Sequence, residues 1–479
     1  MSSTGTTVQV AVRSRESTVA DVSWRGLWPL LLPCGLLVAG ALVGYPFTLD
    51  VAVARERLLG LIVAGALAVL VTWWLRRVER PAAVLVGATV VSLAGGVWII
   101  SATGPDVFRG SVGRGLQVLF GPIFGLARVT DPVEVANTRF IVGYNGLVDL
   151  CAVAIFCCGA LILERREFRS TQTRALLATI ALGLLLLVGT GARGGLTGLA
   201  AGIVAIGLYA WPRRSMLGAL IAAPIALAVA AIGLLDKGVE FSSTAGRLSY
   251  WTDLARLLSE YPLTGVGLGV DTAFRATLQY EINPDPERVF YAHNTFVQSY
   301  LESGPLGTLG MLLIPLVALA AALCARRFGA RPRQRALTIA GLGIVGALTA
   351  HGLTDQVVTT NIGTATVLLG LAAVLAGLSP AALASLSRLV GRGSVAVGAL
   401  GVLVLVPFLV TPGGRAQALL NLGSLELNQA LALEAQAPAR AAALADAEST
   451  LALALTQADG HSGVLRELAR VRSARYDDA

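Results

Sequence analysis

SSTAGRLSYWTDLARLLSEYPLTGVGLGVDTAFRATLQYEINPDPERVFYAHNTFVQSYLESGPLGTLGML occupies residues 242–312, and its polarity decides how the rest of the chain is read. Almost everything else up to Pro412 is apolar and patterned as helix. This stretch holds charges, aromatics, glycines, prolines and His293, one of three histidines in the chain. Connecting loops are usually short, so a polar insertion of this length calls for a reason. It predicts a site built outside a membrane, joined there by Arg193 and Asp355.

The apolar surroundings set the class. Of 479 residues, 55% are hydrophobic and 14% charged, and the mean hydropathy is +0.71. Ordinary soluble domains do not have that composition. Candidate spans fall at about 26–44, 57–75, 82–101, 143–163, 174–190, 195–211, 216–235, 304–324, 336–352, 361–379 and 394–411. Runs near 18–20 apolar residues reach across a bilayer. The predicted fold is all-α: a polytopic membrane protein of about 11 transmembrane helices.

Arginine placement predicts the orientation. Counting from a cytoplasmic N-terminal tail (1–25), alternate short segments carry Arg13, Arg15 and Arg25; Arg76, Arg77 and Arg80; Arg165, Arg166, Arg169 and Arg174; Arg213 and Arg214; Arg326, Arg327, Arg331, Arg333 and Arg335; Arg388 and Arg392. The other loops carry far fewer, which is the positive-inside pattern. The net charge of +8 then reflects membrane topology, and no nucleic-acid partner is expected. The first apolar run is followed by further spans and lacks a cleavage site, so it reads as a helix and not a signal peptide. The loops 102–142 and 236–303, the Gly191–Gly195 turn and the C-terminus fall outside. Gly115 to Leu126 is too short to span and reads as an interfacial or re-entrant piece.

The spans, residues 26–412, form one predicted transmembrane domain with its extracytoplasmic active-site loop at 236–303. Residues 413–479 are rich in alanine, leucine, glutamate and arginine and predict two or three amphipathic helices, broken near Pro438 and Asp459-Gly460. Leu422-Gly423, with Ala447, Leu451 and Ala454, resembles part of a tetratricopeptide (TPR-like) helix pair. A plain helical hairpin packed on the membrane domain fits as well. His461 there reads as a solvated residue. Cys34, Cys151, Cys157, Cys158 and Cys324 all lie in apolar runs and read as small buried hydrophobes.

Few residues are equipped for chemistry. Arg193 stands in GTGARGGLTG between two spans, where glycines let a ligand approach and a helix N-terminus and a guanidinium both favour phosphate oxygens. A snorkelling interfacial arginine is the plainer alternative. Arg247 opens RLSYWTDLARLLSEYP, an amphipathic helix whose Leu248, Trp251, Leu254, Leu257 and Leu258 predict a seat on the membrane surface. A cation in the first turn opposes the helix dipole unless an anion joins it. His293 precedes a helix expected to start near Asn294, and a neutral imidazole there can take a proton from a hydroxyl. His351 and Asp355 read as a pair that orients a base or caps a helix. Tyr250, Trp251, Tyr261, Tyr280 and Tyr291 suit either sugar stacking or an aromatic belt.

Together these residues resemble the bacterial O-antigen ligase/polymerase family. The resemblance rests on GARGG at Gly191–Gly195, on R-x-x-Y-W followed by P-L-T-G-V-G-L-G, and on His293-Asn294, nine residues, Gly304, two residues and Gly307. It covers roughly residues 30–412. It implies transfer of a glycan from an undecaprenyl-pyrophosphate carrier to an acceptor hydroxyl on a glycan, lipid or protein. Arg193 and Arg247 would hold the pyrophosphate, with Asn294, Tyr250 and Trp251 lining the substrate, and His293 would activate the acceptor. The chemistry it implies is metal-independent and needs no cofactor. The different class to weigh is a transporter of a lipid-linked or anionic substrate. The sequence shows no inverted repeat and no pattern of paired charges in the spans, which would count against that.

Overall fold

The computed structural model describes residues 24–48, 51–103, 144–164, 170–210, 250–252, 254–255, 258, 261–269, 292–330, 334–355, 361–431, 433–434, 438–458 and 460–477. The expected span at 216–235, the 102–142 loop beyond its first residues, most of the 236–303 loop and Arg247 lie outside the described residues.

Among the described residues the chain is helical. In order the helices are α1 (Trp24–Gly44), α2 (Val51–Leu75), α3 (Pro81–Thr103), α4 (Tyr144–Glu164), α5 (Ser170–Gly189), α6 (Arg193–Ala210), α7 (Thr295–Phe328), α8 (Arg335–Gly352), α9 (Asn361–Ala376), α10 (Pro380–Val410), α11 (Pro412–Leu431), α12 (Pro438–Gln457) and α13 (Ser462–Asp477). Seven of these, α1 to α7, are long and apolar enough to cross a membrane, and α9 is a shorter apolar helix. The outer faces agree with a lipid setting. Leu59, Ile62, Val63 and Leu70 on α2 and Val86, Val90, Val91 and Trp98 on α3 are exposed, while the inward positions of α2 include Ala54, Ala64 and Ala68. Large apolar residues outside and small ones between helices is how bundles pack in lipid, where close backbone approach supplies the association. The chain is a multi-pass membrane protein.

Side chains tie the helices together at each end of the bundle. At one end Thr48 Oγ1 donates to Leu268 O, Asn145 to Asp355, Asn294 to Leu353 O, and Arg57 to Asn361. At the other, Arg76 donates to Leu375 O, Gln334 to Leu75 O and Arg326 to Leu208 O, and Arg335 faces Glu164. The described arginines of the positive-inside pattern past α1 cluster at this second end. His293 and Asp355 sit at the first.

Three helices begin well before their expected bounds. The spans expected from 57, 304 and 394 begin at Val51, Thr295 and Pro380. The second difference has a local cause. Helix α7 runs through Gly304, which adopts φ +60° and ψ −159°, and Pro305 follows. Proline has no N–H, so the Leu301 carbonyl loses its helical partner. The N–H of Val266 fills that vacancy at 2.8 Å. The P-L-T-G-V-G-L-G segment therefore docks into the break in α7. A β-carbon on Gly304 would stand 2.3 Å from Leu263 O, and one on Gly265 (φ +67°) 2.3 Å from Leu301 O.

The tail forms three helices, broken at Pro438 and at Gly460 (φ +74°). Thr411 caps α11 by accepting the Gly414 N–H at 3.1 Å, with Pro412 at the first helical position. Helices α11 and α12 meet where Gly423 faces Leu451, at the residues the sequence singles out, and Ala447, Leu451 and Ala454 are buried. His461 is half-buried and not fully solvated. The tail is not free-standing. Tyr250, Leu254, Tyr261, Val266 and Leu301 share one core cluster with Leu420, Leu427 and Leu451. This corrects the expected membrane-surface seat of the Arg247-to-Tyr261 helix. Its buried Leu254, and Tyr250 beside it, are covered by protein, because the tail returns its own apolar stripe to the same place.

Candidate active site

Three helix ends and one loop build the site. Helix α6 starts at Arg193, α7 starts at Thr295, α8 ends at Gly352, and the following turn carries Thr354 and Asp355. Glycines bring α6 against α8. A β-carbon on Gly194 would meet Thr354 Oγ1 at 2.4 Å and His351 Cδ2 at 2.6 Å, and one on Gly198 would meet Ala347 O at 2.6 Å. The GARGG segment thus puts Arg193 at a helix N-terminus one residue from the His351–Asp355 turn. Arg193 is partly buried, and among the described residues its guanidinium makes no hydrogen bond or ion pair.

His293 faces Asp355. Its Nδ1 lies 3.8 Å from Asp355 Oδ1, with the imidazole 20% and the carboxylate 8% exposed. The other carboxylate oxygen accepts from Asn145 Nδ2 at 2.8 Å. The carboxylate is thereby oriented from behind. His293 has φ +49°, a left-handed conformation that non-glycine residues rarely adopt. It costs on the order of 1 kcal/mol and persists only where neighbours over-determine it. The neighbours are evident. Ala292 N–H donates to Gln298 Oε1 at 3.1 Å, and Ala292 O accepts from Trp251 Nε1 at 2.7 Å. On the other side Asn294 caps α7, accepting from the N–H groups of Phe296 and Val297 at 2.9 and 3.2 Å. Thr295 Oγ1 donates to Asp355 O at 3.3 Å.

The expected site residues therefore divide. His293 and Asp355 face each other, and Arg193 precedes Gly194, which packs against Thr354 and His351. Asn294 gives its side chain to the helix cap and to Leu353 O, and Trp251 gives its indole N–H to the backbone beside His293. Tyr250 is buried in the seam with the tail. His351 and Asp355 meet through the backbone, the Asp355 N–H donating to His351 O at 3.0 Å at the end of α8. His351 Nδ1 lies 3.0 Å from Asp149 Oδ1, both groups buried, and the Asp355 carboxylate turns to His293. One helical turn separates His351 from Asp355, and α4 and α7 approach from different sides, so each side chain finds a different partner.

A second correction concerns paired charges in the spans. Besides Asp149 with His351, Arg57 Nε on α2 meets Glu302 Oε2 on α7 at 3.0 Å, and Arg57 Nη1 reaches Asn361 Oδ1 at 3.1 Å and Thr364 Oγ1 at 3.3 Å. Ionisable groups inside apolar runs are costly unless they pair. Asp149 in LVDLCAVAIF and Arg57 in VAVARERLLG were visible as such exceptions, and that cost was the signal for both. Among the described residues no group of three or more histidine, cysteine or acidic side chains gathers as a metal site.

Such an arrangement can bind an anion near Arg193 and move a proton at the imidazole of His293. Comparison with known proteins points to a matching family. Residues 178–312, which include Arg193, His293 and the docking segment 262–269, match the family model described as O-Antigen ligase. No curated protein matches the chain. Residues 178–312 of this multi-pass membrane protein are thus similar to the O-antigen ligase family.

Proposed function

We propose that the protein transfers a glycan from undecaprenyl pyrophosphate to an acceptor hydroxyl on the extracytoplasmic side of the inner membrane. The observation that carries this is His293 held 3.8 Å from Asp355, at the arginine-poor end of the bundle where α6 begins with Arg193. The acceptor O–H donates its proton to Nε2 of His293 while its oxygen bonds to the anomeric carbon. The bond from that carbon to the pyrophosphate oxygen breaks, and undecaprenyl pyrophosphate leaves. Arg193 and Arg247 stabilise the charge gathering on the leaving oxygens. The pyrophosphate is already an activated leaving group, so one base and two cations suffice. Asp355 acts on Nδ1, which leaves Nε2 as the basic nitrogen.

Topology supports the compartment: the arginine-rich end opposite the site would face the cytoplasm, and the C-terminal helices would lie outside. The ligase-family match favours a transferase over a transporter. Paired charges do occur in the spans, so they no longer argue against transport. A transporter of a lipid-linked or anionic substrate would nonetheless work without His293. The deciding experiment incubates purified protein with an undecaprenyl-pyrophosphate oligosaccharide and candidate acceptors and reads products by mass. Transfer by the parent, and transfer slower by about a hundredfold or more in His293→Ala, is the expected outcome. Equal transfer by His293→Ala, Arg193→Ala and Arg247→Ala would refute the assignment.

A further inference from the structure

His293 stands on a strained backbone, and the groups that hold it trace into the bundle. Ala292 N–H donates to Gln298 Oε1 at 3.1 Å. Gln298 Nε2 donates to Glu302 Oε1 at 2.9 Å and approaches Gly269 O at 3.5 Å. The other Glu302 oxygen accepts from Arg57 Nε at 3.0 Å. Gln298, Glu302 and Arg57 are 0%, 1% and 3% exposed. Each link admits one direction only. A guanidinium has donors alone and a carboxylate acceptors alone. Glu302, held by Arg57, therefore draws the amide nitrogen of Gln298, and the amide oxygen is left to face Ala292. Gly269 O, a further acceptor on the same nitrogen, fixes the same sense.

We infer that Arg57, Glu302 and Gln298 form a positioning relay that sets the backbone carrying His293. The inference rests on the role given to His293 above. It also accounts for the burial of an ion pair that helix packing alone does not require, since apolar residues of similar volume commonly replace such pairs without loss of stability. None of the three touches the reacting atoms; they act through Ala292.

Two variants of the full chain test the relay. Arg57→Met combined with Glu302→Leu removes both charges and leaves none stranded. Gln298→Met keeps volume and removes the acceptor for Ala292. Hydrogen exchange at the Ala292 amide, read by mass on short peptides, is expected to quicken about tenfold or more in both. With an undecaprenyl-pyrophosphate oligosaccharide as probe donor, kcat is expected to fall at least about tenfold while donor KM stays within about twofold, the split that marks lost positioning. Unchanged exchange at Ala292 overturns the relay. Faster exchange with unchanged kcat overturns its positioning role. Parent-level transfer by His293→Ala would sink the functional reading and leave the relay to the exchange result. If the parent transfers nothing, the functional reading fails and Ala292 exchange alone decides the relay.

Discussion

His293 concentrates the physical argument at the scale of the residue. A left-handed φ of +49° on a histidine is unfavourable, and the surrounding bonds, from Ala292 N–H to Gln298 and from Phe296 N–H to Asn294, compensate it. His293→Ala should reduce glycan transfer by about a hundredfold or more, the usual worth of a positioned base, while the protein remains in the membrane. Initial transfer rates at saturating acceptor check this. Asp355→Asn should retain the bond from Asn145 geometrically but lose the charge facing Nδ1, giving a smaller loss than His293→Ala in the same assay. Gly194→Ala places a methyl 2.4 Å from Thr354 Oγ1 and 2.6 Å from His351 Cδ2. Overpacking of that kind costs about 1–3 kcal/mol. It should lower the thermal midpoint and, by lifting α6 off the Asp355 turn, the transfer rate as well.

Helix α7 is the element on which the site depends. Asn294 starts it, Gly304 and Pro305 break it, and Gly329 ends it, with its N–H on Ala325 O at 2.8 Å. The break is functional architecture in the sense that it frees one carbonyl, Leu301 O, to receive the 262–269 segment. Tyr300 strengthens the same docking, its hydroxyl donating to Pro262 O at 2.7 Å. Gly304→Ala combines φ +60° with a contact of 2.3 Å to Leu263 O. It should destabilise the protein by more than about 1 kcal/mol, because an alanine cannot adopt that conformation without strain. Pro305→Ala returns an N–H to the helix, which then competes with Val266 for Leu301 O. Limited proteolysis should show the 262–269 segment cut faster in Pro305→Ala than in the parent.

For the whole molecule, the membrane bundle and the C-terminal helices share their structure through one loop. Tyr261 OH lies 3.2 Å from Ser424 Oγ, and Thr264 Oγ1 donates to Asn421 Oδ1. Removing residues 413–479 would uncover Tyr250, Leu254 and Tyr261, and the thermal midpoint of the remaining chain should drop. The tail also carries a pH dependence. Hydrogen bonds from Arg472 and Arg475 hold the Glu448 carboxyl below its ordinary range. A depressed carboxyl stabilises the folded form above its unfolded value and loses that contribution as pH falls through the depressed one. Glu448→Gln should therefore lower the melting temperature of the tail at neutral pH, and the difference from the parent should vanish in acid. A difference that persisted in acid would mean that packing, and not the charge, is responsible.

What the sequence determined by itself is what depends on neighbours along the chain. Apolar run length marked the helices able to cross a membrane, and His293-Asn294 marked a helix start. Tertiary structure alone decided the pairings. Asn145 reaches Asp355 across 210 positions and Arg57 reaches Glu302 across 245. Periodicity carries no information about such partners, since a charge in an apolar run announces that it needs an opposite but not which one. Sequence proximity links Asp355 to His351, and their backbones do bond, whereas packing turns the Asp355 carboxylate to His293 and sets the His351 ring on Asp149. The tail's place over the loop was hidden for the same reason: two amphipathic stripes look alike whether they will meet lipid or each other.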